Sequence, residues 1–111
     1  MVNTQPLDHI FGALADPTRR RIVERLSRQP LTIGEISAEF TISQPAISKH
    51  VRVLEESGLL RREIIGRVHR CTLSPGAMDS AAKWIDRQRA YWNATLDRLD
   101  DLLSKKSKKG K

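Results

Sequence analysis

Gln44, Ser48, Lys49 and Arg52 fall at intervals that set them on one side of a helix, opposite Ile47, Val51 and Leu54. The same outer side carries Pro45 and Glu56, with Gln44 at its tip. Glutamine pairs with adenine through two hydrogen bonds, and serine and lysine reach base edges or phosphates. The chemistry of such a set is the reading of a nucleic-acid groove. Further along, Arg61, Arg62, Arg67, His69 and Arg70 crowd a short segment holding a single acid, Glu63. Arg67 stands beside Gly66, where a cation would meet a phosphate or enter a minor groove. The candidate DNA contacts are therefore Ser43, Gln44, Pro45, Ser48, Lys49, His50 and Arg52, with Arg62, Arg67 and His69 from the second segment. Gln44 and Ser48 are expected to read bases, Arg52 to hold the backbone, and Lys49 to do either. His50 lies at the flank of the buried face, so a half-buried, hydrogen-bonded histidine is its plainer reading.

Catalysis finds no support in the sequence. It has no Ser/His/Asp or Cys/His order with positioned partners and no glycine-rich phosphate loop. The carboxylate pairs Glu55-Glu56 and Asp100-Asp101 are neighbours that point in different directions on a helix. The remaining alternative to a DNA reader is a protein-interaction module. Double-stranded DNA is favoured because the polar sets lie where a duplex would be met.

The elements that position these residues follow from periodicity and caps. A first helix over Pro6 to Leu14 carries Leu7, Ile10, Phe11 and Leu14 on one stripe. Asp16-Pro17 caps and opens a second helix, which reaches about Arg28 before Gln29-Pro30. Leu31 is expected to pair briefly with a later hairpin. Thr32 and Glu35 form a capping box for a third helix that turns Ile33, Ile36 and Phe40 inward and stops near Thr41. Ile42 is expected to plug the gap before a fourth helix, which Ser43 caps and Gly58 ends. Leu59 to Ile65 and Val68 to Leu73, parted by Gly66-Arg67, make a β-hairpin. Ser74-Pro75 opens a last helix to about Leu103, with Met78, Ile85, Trp92 and Leu99 every seven residues and Leu96 and Leu103 widening the seam. Such a repeat packs a helix against another long helix.

The fold class is thus mainly α with a small β-hairpin: a winged helix-turn-helix with N-terminal helices and a long C-terminal dimerisation helix. One domain is expected over residues 1–104, with the helix-turn-helix at 32–57, the wing at 59–74 and the dimerisation helix at 75–103. The net charge of +7 owes much to lysines 105, 106, 108, 109 and 111; without them, 15 basic against 13 acidic residues leave +2. Residues 105–111 are expected to be a disordered lysine-rich tail. A soluble, cytoplasmic protein is expected, since no long apolar run or secretory signal is visible and Cys71 is the only cysteine. Trp84, Tyr91 and Trp92 fit a helix interface, with a small apolar effector as the alternative use. Cys71 in a short strand reads as a buried small hydrophobe.

The stretch from Ala13 to Ile22 (Ala-Leu-Ala-Asp-Pro-Thr-Arg-Arg-Arg-Ile) resembles the opening of the arsenic-repressor-like (ArsR) family of bacterial regulators. The stretch from Ile42 to Val51 and the run Leu54-Glu55-Glu56-Ser57-Gly58-Leu59 resemble it too, so the likeness covers nearly the whole chain. The resemblance implies a homodimer with paired terminal helices that represses an operon by binding a palindromic operator. The dimer interface would use Leu7, Ile10, Phe11, Met78, Ile85, Trp92, Leu96, Leu99 and Leu103. Many members sense metals through a Cys-Val-Cys run, but the matching stretch here, Glu35 to Phe40, has no thiol. No histidine follows Pro75, and Cys71, His9, His50 and His69 lack ligand spacing. No metal or other cofactor is therefore expected, and an effector of unidentified chemistry is left open.

Overall fold

The computed structural model describes residues 6–109, and the side chains of residues 6–105. The helices are α1 (Pro6–Leu14), α2 (Pro17–Leu26), α3 (Ile33–Glu39), α4 (Gln44–Glu56) and α5 (Pro75–Lys109). The strands are β1 (Leu31–Thr32), β2 (Leu60–Ile65) and β3 (Val68–Leu73). They form one antiparallel sheet in the order β1-β3-β2, with Leu31 opposite Cys71 and Ile65 opposite Val68. The expected brief pairing of Leu31 is the third strand.

Caps fix the helix boundaries. The Asp16 carboxylate accepts from the Arg19 N–H at 3.0 Å. That bond holds its pKa below the ordinary 3.8, so the group stabilises the fold at neutral pH and ceases to as pH falls through the lowered value. At α3, the Thr32 hydroxyl accepts from Glu35 N–H at 3.1 Å while Glu35 accepts from Thr32 N–H at 2.9 Å. Thr32→Ala is expected to cost about 1 kcal/mol in chemical denaturation, since it removes one of these two bonds. α4 ends in a Schellman motif, with Gly58 N–H bonded to Glu55 C=O and Leu59 N–H to Leu54 C=O, both at 3.1 Å. Gly58 takes φ 86°, and Gly66 at the hairpin turn takes φ 63°. α2 stops at Leu26, two residues before the expected Arg28, because Ser27 and Arg28 close a tight turn onto Val23 and Arg25.

The chain divides after Ala81. The cut falls within α5 and leaves two units. In the first, the core gathers Ile22, Ile36, Ile47, Val51, Leu54, Leu59, Leu60 and Cys71, with Ile10 and Ala13 from α1 and Ala81 from α5. Phe11, Phe40, Leu73 and Met78 pack around it half-buried. Ile10 was expected at the dimer interface, but its side chain is 2% exposed and belongs to this core. Periodicity defines a stripe and does not say what covers it. Ile42, expected to plug the turn, is 37% exposed there. The second unit, from Ala82 onward, is α5 alone, and a lone helix has no core. Ile85, Trp92, Leu96, Leu99 and Leu103 are all exposed on it. The helix runs to Lys109, six residues past Leu103, so the segment expected as a disordered tail is helical through Lys109. Lysines suit a helix C-terminus, and residues 110–111 of the expected tail lie outside the described residues. Among the described residues no helix is long and apolar enough to cross a membrane.

Candidate nucleic-acid interface

α4 owes its direction to Ile47, Val51 and Leu54, each wholly buried. The opposite side is then held outward. Gln44, Pro45, Lys49 and Arg52 are exposed, and Ser48 is half-exposed. Ser43 Oγ accepts from Ala46 N–H at 3.2 Å. Because Pro45 has no N–H and Ala46 is capped, Gln44 is the residue of this first turn left with a backbone donor for a phosphate. The helix terminus is thus a narrower anion site than four free donors would make.

β2 and β3 project beside this helix end. Their register pairs Ile64 with His69 and Arg62 with Cys71 on the face continuous with Leu60; Arg61, Glu63, Arg70 and Thr72 occupy the other face. Gly66 and Arg67 form the exposed tip. Between α4 and the hairpin lies a recess of about 470 Å³, lined by Gln44, Ser48, Arg62, Arg67 and His69 together with the start of α3. The two polar sets singled out in the sequence therefore meet in one concavity.

Two candidates, Arg62 and His50, are turned inward. Arg62 donates to Glu55 Oε1 at 2.8 Å and to His69 Nδ1 at 3.1 Å, and its side chain is 17% exposed. Arg62, expected to meet DNA, is thus held by the protein's own groups while it lines the recess. His50 faces away from the recess elements, toward the α1–α2 junction. Its Nδ1 accepts from Arg19 at 3.3 Å and lies 3.8 Å from Asp16 Oδ2. Arg19 also donates to the Ala13 and Gly12 carbonyls at 2.6 and 3.3 Å, tying the end of α1 to α4. The sequence placed neither Glu55 nor Arg19 at the interface. Alternation from buried Leu60 to buried Cys71 was the signal that Arg62 must point inward and need an acid.

Other charges serve the scaffold. Arg25 pairs with Glu39 at 2.6 Å, and the Arg21 guanidinium sits 4.6 Å from the Phe40 ring centroid, so both tie α2 to α3. Cys71 is fully buried, and burial pushes its thiol pKa above the ordinary 9.0, with the Arg62 charge opposing in part. It is a packed apolar side chain, as its strand position suggested. Among the described residues no three His, Cys, Asp or Glu side chains are grouped to hold a metal ion.

Two helices joined by a short turn, the second presenting a polar face beside a basic hairpin, define the winged helix-turn-helix class of DNA-binding proteins. Residues 14–63 match the family model of a helix-turn-helix domain. The chain is 34% identical over 96 residues to an HTH-type transcriptional regulator of Mycobacterium tuberculosis, covering 86% of this chain and 87% of that one. It is 41% identical over 95 residues to the arsenical resistance operon repressor of Escherichia coli K12, covering 85% and 79%. The crystal structure of an ArsR family transcriptional regulator superposes with a TM-score of 0.76 at 38% identity, covering 80% of this chain and 98% of that one. The chain belongs to the ArsR family of transcriptional regulators.

Proposed function

We propose that this protein is a homodimeric repressor that binds a palindromic operator in double-stranded DNA. The observation that carries the reading is the convergence of Gln44, Ser48, Arg67 and His69 on one recess between α4 and the wing. In this reading α4 enters the major groove. Gln44 and Ser48 read base edges, Lys49 meets a base or a phosphate, and Arg52 holds the backbone. Ser43 and Pro45 lie against the backbone at the helix start. Arg67 reaches the adjacent minor groove or its phosphates. The repressor direction is supported by the name of the E. coli relative, a repressor of an arsenical resistance operon.

Dimerisation follows from the apolar stripe of α5. Trp92 and Leu99 are more than half exposed, and solvent-facing stripes of this kind mark interfaces. With Ile10 in the protomer core, the interface uses Ile85, Trp92, Leu96, Leu99 and Leu103, joined by the half-buried Leu7, Phe11 and Met78. A two-fold axis would set two recognition helices about 34 Å apart, one turn of DNA. Occupancy of a promoter by such a dimer blocks transcription. An effector that releases it must prefer the non-binding conformation.

Lys49 and Arg67 are both exposed, so exchanging them for alanine leaves the fold intact. The double variant is expected to bind every duplex more weakly. Each phosphate that is no longer neutralised reduces the steepness of log K against log salt by about 0.9. Fluorescence anisotropy over a salt series reads this directly; an unchanged affinity and slope would move the DNA surface elsewhere.

A further inference from the structure

We infer that Arg62 is a positioning residue: backed by Glu55, it locks His69 as its Nε2–H tautomer and so presents that N–H as a donor to a DNA backbone phosphate in the recess. The inference rests on the DNA-binding reading above and adds roles to it. Three elements are joined in one line, with Glu55 in the last turn of α4, Arg62 on β2 and His69 on β3. The two bonds run from one guanidinium, at 2.8 Å to Glu55 and 3.1 Å to His69 Nδ1. A guanidinium has donors only, so Nδ1 must be the acceptor, and the proton of the neutral ring must sit on Nε2. His69 lines the recess together with Gln44, Ser48 and Arg67, the residues that the DNA reading assigns to the duplex. Nε2–H is then the ring's remaining polar group, and a phosphate oxygen is the acceptor that DNA supplies there.

The arrangement also ties the wing to the recognition helix. Arg62 lies opposite the fully buried Cys71, so its stem is anchored in the core while its head bridges to α4. Glu55 supplies the charge that keeps the guanidinium from turning out toward phosphates. An acid near a polyanion ordinarily opposes binding. Here the acid aids it, because losing Glu55 frees the arginine, the histidine tautomer and the wing together.

That inversion of sign is the test. In the full-length protein, Glu55→Gln is expected to weaken operator binding about three- to tenfold, the worth of one neutral hydrogen bond. Arg62→Met keeps the volume beside Cys71; it should weaken binding similarly, and the double variant should be no worse than Arg62→Met alone. Nitrogen-15 spectra of the imidazoles at mildly alkaline pH are expected to give the Nε2–H tautomer for His69 in the wild type and a mixture in Arg62→Met. Tighter binding by Glu55→Gln would overturn the inference, with Arg62 then a phosphate contact. A wild-type His69 carrying its proton on Nδ1 would overturn it as well. Failure of the wild type to bind any duplex would instead sink the DNA-binding reading, while the spectra still decide the tautomer lock.

Discussion

Trp92→Glu is expected to convert the dimer to monomers and to weaken operator binding by about a hundredfold or more, because two linked half-sites are then bound independently and avidity disappears. Trp92 is 59% exposed in the protomer, so its replacement removes no intramolecular core. It stands midway along a stripe with Ile85 one heptad before it and Leu99 one heptad after it. A carboxylate placed there would face its own copy or the partner's apolar side chains, and a charge at a dry interface is strongly unfavourable. Sedimentation would report the mass, and circular dichroism would report that helical content is retained. A dimer that persists would sink the seam assignment and leave α5 exposing its apolar residues for another partner.

Leu54→Ala is expected to cost about 2–5 kcal/mol. Leu54 is fully buried with Ile47 and Val51 beneath the recognition face, and its carbonyl accepts the Leu59 N–H that closes α4. Small domains hold only about 5–15 kcal/mol in total, so the melting temperature should fall by about 10 °C or more. The contrast with Lys49 is informative. Lys49 lies two residues after Ile47 on the opposite side, so Lys49→Ala should leave the melting temperature nearly unchanged and lower only affinity. If Leu54→Ala melted like the wild type, α4 would not be packed through this face, and the outward placement of Gln44 and Ser48 would lose its basis.

What was legible in the sequence was local. Asp16, Thr32 with Glu35, Ser43 and Gly58 announced helix ends because a cap needs only its own neighbours, and each acts as its type requires. The seven-residue repeat of α5 and the Gly66 turn were readable for the same reason. Partners distant in sequence were not readable. Ile10 lies on the stripe expected at an interface, yet other helices of the same protomer cover it. Arg62 and His69 read as a basic wing until Glu55, from a different element, is seen across from them. His50 likewise meets Arg19, 31 residues away, where the sequence showed only a flank position. Charge type was legible from the residues, but the direction of each charge was set by tertiary packing.

The central claim is sequence-specific binding of duplex DNA by this surface. The most direct test is capture of genomic fragments by the purified full-length protein, followed by a salt titration on the most enriched one. A short palindrome near a promoter, bound with affinity that falls steeply as salt rises, is the predicted result. Equal capture of every fragment, or capture of none, would contradict it.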